Sequence, residues 1–163
     1  MSSRYAAWIR IGGTVEHAKA EPLLKAVRDA CVKRDWLADP FQPSTIDELL
    51  DAREDDELWL CDEEAKYGEF EAMEGACREL GLSYCRHTEA WCGEDAVLID
   101  WRPGMQEPVE RVSSNDNSDT ALVPEEPVGK ALAALEADDA PEAIRILKDL
   151  CSHVPDLPPF EVV

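Results

Sequence analysis

The chain has 163 residues, 45% of them hydrophobic, and its 36 acidic and 16 basic side chains give a formal net charge of −20 at pH 7. The hydrophobic share excludes broad disorder, and the lack of any Lys- or Arg-rich run argues against direct binding to nucleic acid or to an anionic membrane. No apolar run is long enough to span a membrane and the first residues lack a signal-peptide core, so we expect a cytoplasmic protein, in the host cytoplasm if a phage encodes it.

The chain begins with a predicted strand over residues 5–11, where apolar and polar side chains alternate. Ile9 and Ile11 would face the core of the domain. The pair Gly12-Gly13 is expected to end this strand.

Two helices are predicted next. The first begins near Glu21-Pro22, because proline suits the first turn of a helix. The second covers residues 46–53, where Thr45 and Glu48 have the spacing of a capping box.

A strand over residues 58–61 has apolar side chains on both faces, which predicts a central position in a sheet. A helix over 69–80 follows, and Gly81 is expected to cap its C-terminus. Glu71 and Glu74 are predicted to lie on the outer face of this helix, opposite its apolar stripe.

Two further strands, 83–88 and 96–102, complete the first part of the chain. The proline- and serine-containing segment 105–127 predicts a linker or mobile loop. A helical hairpin is expected within 128–154, and residues 155–163 form a proline-rich tail.

These elements predict an α/β (α+β) fold in which residues 1–104 form a two-layer sandwich, with an about four-stranded mixed sheet covered by helices. The C-terminal hairpin would pair helices over 128–137 and 141–152. A single hairpin cannot bury its own apolar face, so it should dock on a partner or on the sheet face that the other helices leave open.

The acidity is densest in residues 47–74, which carry thirteen acidic and two basic side chains. Double-stranded DNA carries one negative charge per roughly 1.7 Å of its axis, and a rigid carboxylate-rich surface can imitate it. In composition the chain resembles DNA-mimic proteins of phages and mobile elements, such as some anti-restriction and anti-CRISPR inhibitors, which are small, very acidic and usually not enzymes. The resemblance implies an inhibitor that blocks a basic, nucleic-acid-binding site on a partner protein.

The carboxylates expected to contact such a partner lie within or beside the densest segment. They are Glu54, Asp55, Asp56, Glu57, Asp62, Glu63, Glu64, Glu71 and Glu74. The competing interpretations are a solvated acidic surface without a partner and adaptation to high salt.

An alternative function is an accessory or regulatory interaction domain that binds through the hairpin or through an aromatic and arginine-rich sheet face. Trp, Tyr and Arg are the usual hot-spot residues of protein interfaces. The candidates for this face are Trp8 and Arg10 and, depending on the register of the strands, Tyr84, Arg86 and either Trp101 or Arg102, the last together with Asp100. If the hairpin covers the face instead, these residues are ordinary core.

The cysteines are expected to be free thiols, since no export signal is present. Cys85 and His87 share a strand face near Cys92, and Cys151 and His153 repeat the spacing, but neither pattern matches a structural zinc site. We therefore predict no metal and no cofactor.

Catalytic motifs are weak in this sequence. Glu64-Ala65-Lys66 has the spacing of restriction-type nucleases, with Asp62 or Asp100 as a second ligand, but this short pattern arises readily by chance in so acidic a chain. No nucleophile or phosphate-loop motif is present. We predict no catalytic residue and favour a protein that is not an enzyme, with an enzyme whose site these motifs do not reveal as the third alternative.

Overall fold

The computed structural model describes residues 3–90, 93–114, 121–150 and 154–163. Its strands are β1 (Arg4–Val15), β2 (Arg53–Glu54), β3 (Glu57–Lys66), β4 (Ser83–Thr88), β5 (Val97–Trp101), β6 (Val109–Val112) and β7 (Phe160–Val162). Its α-helices are α1 (Glu21–Ala30), α2 (Ile46–Asp51), α3 (Glu71–Leu80), α4 (Glu125–Glu136) and α5 (Ala140–Leu150). The fold is therefore mixed α+β, as the sequence predicts.

The strands form one open sheet in the order β2-β3-β1-β4-β5-β6, and each of these strands is antiparallel to its neighbours. Since β3 and β4 both run antiparallel to β1, they are parallel to each other, and α3 connects them across β1 as a split β-α-β unit. Strand β7 adds a parallel partner to the end of β1.

The prediction of about four strands is wrong, because the described part of the chain forms a sheet of seven. The three strands that the sequence did not indicate are short. Strand β2 has two residues, β6 has four and β7 has three. Strands this short contain too few residues for the alternation of apolar and polar side chains to be recognised in the sequence. Their position beside longer strands is what stabilises them.

One face of the sheet packs against α1, α2 and α3 and forms the main core. Ile9, Ile11, Leu58 and Leu60 contribute from the central strands, and all four are fully buried. The predicted apolar stripe of α3 is also confirmed, since Met73 and Cys77 lie in this core (as does Phe70, just before the helix).

The predicted helix ends are largely confirmed. The Thr45 hydroxyl accepts a hydrogen bond from the Glu48 backbone N–H at 3.4 Å, and Gly81 ends α3 with a left-handed φ of 70°. The Glu142 N–H donates to the Asp139 carboxylate at 3.2 Å, at the start of α5. Helix α2 ends two residues earlier than predicted, because Arg53 is already part of β2.

Strand β1 continues through both glycines to Val15, so the prediction that Gly12-Gly13 ends it is wrong. A side chain at Gly12 would place its Cβ 2.0 Å from the Pro158 carbonyl oxygen. Gly13 has a φ of +111°, and its N–H donates to the Pro159 carbonyl at 2.9 Å. The glycines therefore admit the C-terminal tail beside β1 rather than ending the strand.

Part of the predicted linker over 105–127 is regular structure. Strand β6 lies within it, Ser113 and Ala121 form an isolated bridge, and α4 begins at Glu125. Residues 115–120 lie outside the described part of the chain. The division into sandwich domain, linker, hairpin and tail stays a prediction.

Among the described residues, no side chain of α4 or α5 belongs to the apolar cluster on the second sheet face, where we expected the hairpin to dock. Trp8, Cys85 and Leu98 form a smaller cluster there, and the neighbouring apolar side chains include those of Trp36 and Leu157. Neither belongs to α4 or α5, which pack chiefly on each other. Trp36 belongs to the segment after α1, and Leu157 belongs to the C-terminal tail.

Candidate partner-binding surface

Three of the predicted carboxylates lie on the tight turn between β2 and β3. Asp55 and Asp56 have left-handed φ values of 49° and 66°, which are typical of a two-residue type I′ turn, and Asp tolerates this conformation better than most residues. Glu54, Asp55 and Asp56 are all exposed. The turn therefore fixes three carboxylates on a rigid hairpin.

Arg53, the basic residue beside this turn, is engaged elsewhere. Its Nε donates to the Leu50 carbonyl at 2.9 Å, and its Nη1 donates to the Phe160 carbonyl at 3.0 Å. Among the described residues, no basic side chain forms an ion pair with Glu54, Asp55 or Asp56.

Three more of the predicted carboxylates lie near the other end of β3, at an irregularity in its pairing with β1. The Asp62 carboxylate accepts a hydrogen bond from the Glu64 N–H at 2.9 Å. Glu63 pairs with Lys33 at 3.0 Å, and its hydrogen bond raises the pKa of that lysine. Glu64 is exposed and is not part of an ion pair within the described chain.

Together these six residues define the acidic edge: Glu54, Asp55, Asp56, Asp62, Glu63 and Glu64. Residues 56 and 64 are eight steps apart along the chain, or about 26 Å at the rise of a strand. The edge thus consists of two groups of three carboxylates at opposite ends of one strand.

Two other predicted carboxylates have different environments. Glu57 is half-buried and pairs with Arg10 at 3.3 Å. Glu71 is exposed in the first turn of α3, where a carboxylate is favoured by the helix dipole. Neither belongs to the acidic edge.

The prediction that Glu74 lies on the outer face of α3 is wrong, because this residue is only 7% exposed. Its carboxylate lies 2.8 Å from Arg86 Nε and accepts a hydrogen bond from the Phe70 N–H at 3.2 Å. Arg78 lies 3.6 Å away on the same helix. Glu74 borders the apolar stripe, and Arg86 projects from β4 into the same side of the sheet, so the two charges are buried together.

The strand register places the residues of the proposed aromatic and arginine face on two different sides of the sheet. Trp8 pairs with His87 and Arg10 pairs with Cys85, so these four residues share the second face. Because side chains alternate along a strand, Tyr84 and Arg86 point to the helix-covered face.

Trp101 also lies on the helix-covered face. It stacks on Tyr84 with ring centroids 6.1 Å apart, and both rings belong to the main core. The register therefore separates Tyr84, Arg86 and Trp101 from Trp8 and Arg10, and it places the alternative pair, Asp100 and Arg102, on the face of Trp8 and Arg10.

The candidate aromatic residue that the structure places on the second face, Trp8, exposes little of its ring. Trp8 is 4% exposed and stacks on His87 at a centroid distance of 5.3 Å. Arg102 is buried, and its Nε donates to the Pro155 carbonyl at 2.8 Å, which fixes the tail over the sheet. Of the six candidates for this face, only Arg10 is more than a tenth exposed.

A polar cavity of about 450 Å³ lies between this face and tail residues 154–157. Asp100 lies at its base, buried and paired with Arg102 at 3.3 Å and with Arg111. Cys85 also lines the cavity, and burial raises the pKa of its thiol to about 12. The thiol is therefore protonated at neutral pH and is not an activated nucleophile.

The residues of the nuclease-like pattern do not meet Asp100. Glu64 and Lys66 are exposed on β3, whereas Asp100 lies on β5, three strand positions away, or about 14 Å. Within the described ranges, no three His, Cys, Asp or Glu side chains are grouped as metal ligands. The Cys92, Cys151 and His153 positions fall outside those ranges.

The structure also reveals an exposed apolar surface on the hairpin that sequence reasoning expected to be docked. It consists of Val128, Leu132, Leu135, Ile144 and Leu147. The helical spacing of these residues was visible in the sequence, but the sequence did not indicate that their side chains remain exposed. No described helix is both long and apolar enough to cross a membrane.

Comparison with known proteins gives no relative. The chain matches no protein-family model, and no curated protein and no solved structure is significantly similar to it.

Proposed function

We propose that this chain is a small, non-enzymatic binding protein whose acidic edge blocks a basic, nucleic-acid-binding surface of a partner protein. The observation that carries the proposal is the rigid display of six carboxylates at the two ends of β3. Three of them, on the turn between β2 and β3, form no ion pair among the described residues. A cationic partner could neutralise these charges without breaking existing contacts.

The number of charges along the acidic edge supports a nucleic-acid-like surface. One strand of B-DNA carries a negative charge per 3.4 Å, or about eight charges over about 26 Å. The acidic edge presents six carboxylates over a similar length, so its charge density approaches that of a single strand. Such a surface would attract a basic partner over long distances and accelerate association at low salt.

The test is capture of partners from a lysate of the source cell or its host, compared between the wild type and an edge variant. The variant carries Glu54→Gln, Asp55→Asn, Asp56→Asn and Glu64→Gln. Asparagine is chosen at 55 and 56 because it tolerates their left-handed conformation. We expect a nucleic-acid-binding protein to be captured at low salt, released near 0.5 M salt, where charges are screened beyond about 4 Å, and lost with the variant.

A control variant removes four exposed carboxylates elsewhere: Asp39→Asn, Glu79→Gln, Asp95→Asn and Glu136→Gln. It should retain the partner, and duplex DNA should compete with the wild type for that partner. Equal loss in both variants would mean that net charge, rather than the acidic edge, attracts the partner. A partner that survives both the salt wash and the edge variant would contradict the proposal.

A second candidate function is an accessory or regulatory interaction domain. The observation that favours it is the exposed apolar surface of α4 and α5, because soluble proteins seldom leave large apolar patches uncovered. Binding through this surface would tolerate salt and would not depend on the acidic edge.

A further inference from the structure

The apolar hairpin face consists of Val128, Leu132 and Leu135 on α4 and Ile144 and Leu147 on α5. Each of these side chains is between 41% and 56% exposed. Their spacing along each helix is that of the apolar stripe by which a helix normally docks. Here the stripes remain open although the two helices pack on each other.

Both stripes lie on the same side of the hairpin. The buried residues of α4 and α5 are Ala131 and Ala143, the kind of small side chain that allows two helices to approach closely. Successive residues of an α-helix are rotated by about 100° around its axis. On each helix, the exposed apolar side chains are therefore rotated by roughly 40–100° from the buried alanine, and the direction of rotation is the same on both helices. Since the short connection makes the helices antiparallel, equal rotations bring both stripes to one side.

The resulting apolar surface is large enough to dock a helix. Five large side chains, each about half exposed, present on the order of 400 Å² of apolar surface, which is within the range that marks interaction sites. Two stripes with a shallow valley between them can accommodate a third helix, whose own apolar stripe would pack into the valley.

The exposed charges of the hairpin favour a cationic occupant. Lys130 pairs with Glu126 at 2.7 Å, and Arg145 pairs with Glu142 at 2.7 Å and with Asp149 at 3.0 Å. Among the described residues of the hairpin, the exposed charges without an ion pair include Glu125, Glu136 and Asp138 but only one cation, Lys148. The surplus is acidic.

We propose that the apolar hairpin face binds an amphipathic helix of a partner protein, with leucine-like side chains on one stripe and Lys or Arg along its flanks. A second copy of this chain would bring another net charge of −20 and the same acidic surplus on its hairpin. A basic helix instead gains burial and charge complementarity together. This inference specifies the partner of the second candidate function and is independent of the acidic edge.

The probe is a synthetic Leu/Lys peptide of about 18 residues with leucines at helical i, i+3, i+4 and i+7 spacing. Its control is a peptide of identical composition whose scrambled order abolishes the stripe. We expect the full chain to bind the amphipathic peptide at least roughly tenfold more tightly than the scrambled one, as measured by calorimetry at physiological salt. Equal affinity for both peptides would overturn the proposal, because charge alone would then account for binding.

Two variants locate the binding. Leu132→Ser with Ile144→Ser should remove the preference for the amphipathic peptide, and since both side chains are exposed, circular dichroism should show an intact fold. Neutralising Glu54, Asp55 and Asp56 should leave the preference unchanged. A preference that survives the hairpin variant but disappears with the edge variant would overturn the inference while supporting the acidic edge as a binding surface.

The oligomeric state provides the remaining test. We expect light scattering of the full chain to give a monomer at all concentrations at which the peptide binds. A dimer that Leu132→Ser with Ile144→Ser converts to a monomer would mean that a second copy covers the face, and it would overturn the proposed partner chemistry.

Discussion

Glu74 and Arg86 illustrate how individual residues of so acidic a chain tolerate burial. Their charged atoms are 2.8 Å apart, and each side chain is 9% exposed. Removing one partner of such a pair leaves an uncompensated buried charge, which costs more than the pair itself contributes. Glu74 therefore has a structural role, and its charge is not available to a partner.

We predict that Glu74→Gln lowers the free energy of unfolding by about 3 kcal/mol, because Arg86 would lose its counter-charge in the interior. Urea unfolding followed by circular dichroism measures this loss. Glu71→Gln is the matched control on the same helix, and it should change stability by less than about 0.5 kcal/mol. Similar small effects at both positions would contradict the burial of Glu74.

The buried thiols predict a loss of stability at alkaline pH. Burial raises the pKa of the Cys77 thiol far above its ordinary value, with the nearby Glu74 carboxylate acting in the same direction. Above pH 8.5 or so, the unfolded thiol loses its proton while the native thiol keeps it. The native state then binds more protons, so stability falls as pH rises, by up to about 1.4 kcal/mol per pH unit from this group.

The measurement is urea unfolding in reductant at several pH values from neutral to about 10.5. Cys77→Ala should be less stable at neutral pH, since a buried group is lost, but its stability should decline less steeply above pH 9 or so. If the free energy of unfolding declined with pH equally steeply in the wild type and in Cys77→Ala, Cys77 would ionise equally in the folded and unfolded states, which would contradict the prediction.

At the scale of elements, the C-terminal strand β7 completes the main core. Phe160 is fully buried, and its N–H donates to the Asp56 carbonyl at 2.7 Å. The Val163 N–H donates to the Val15 carbonyl at 3.0 Å. The tail thereby joins the end of β1 to the turn that carries three carboxylates of the acidic edge.

A pair of glycine substitutions tests this arrangement. Gly12→Ala should lower the free energy of unfolding by about 2 kcal/mol, because the added methyl group would overlap the Pro158 carbonyl and displace the tail. Gly75→Ala, in α3, meets open space and should raise stability by about 1 kcal/mol through helix propensity. Thermal unfolding distinguishes the two; stabilisation by both would mean that the tail does not pack beside Gly12.

At the scale of the whole molecule, the charge is unevenly distributed. Basic side chains near β3 are already engaged, as Arg53 is with backbone carbonyls and Lys33 with Glu63. Most of the acidic edge therefore faces solvent with its charge uncompensated. Repulsion among these groups opposes folding and is weakened by salt.

We predict that raising NaCl from low concentration to about 0.5 M increases the melting temperature by about 2–4 °C, equivalent to roughly 1 kcal/mol for a chain of this size. Scanning calorimetry measures the shift. The variant in which Glu54, Asp55 and Asp56 are neutralised should respond less to salt. A melting temperature that falls with salt would mean that attractive ion pairs outweigh repulsion.

Local patterns were sufficient for several elements of the fold. The boundaries of β4 and the caps of α2 and α3 agree with the sequence analysis, because apolar periodicity and capping depend on residues only a few positions apart. The acidic turn was identified by composition. Its fixed geometry follows from left-handed residues that the sequence analysis did not consider.

The sequence by itself determined the class of fold, the amphipathic helices and the concentration of carboxylates around β3, since these are properties of neighbouring residues. Only the tertiary structure decided which side of the sheet Tyr84 and Arg86 occupy, because a shift of one residue in register reverses every side chain. It also decided that Glu74 is buried against Arg86, that the tail pairs with β1, and that the hairpin keeps its apolar face exposed. Each of these depends on contacts between segments far apart in the chain, which local patterns do not encode.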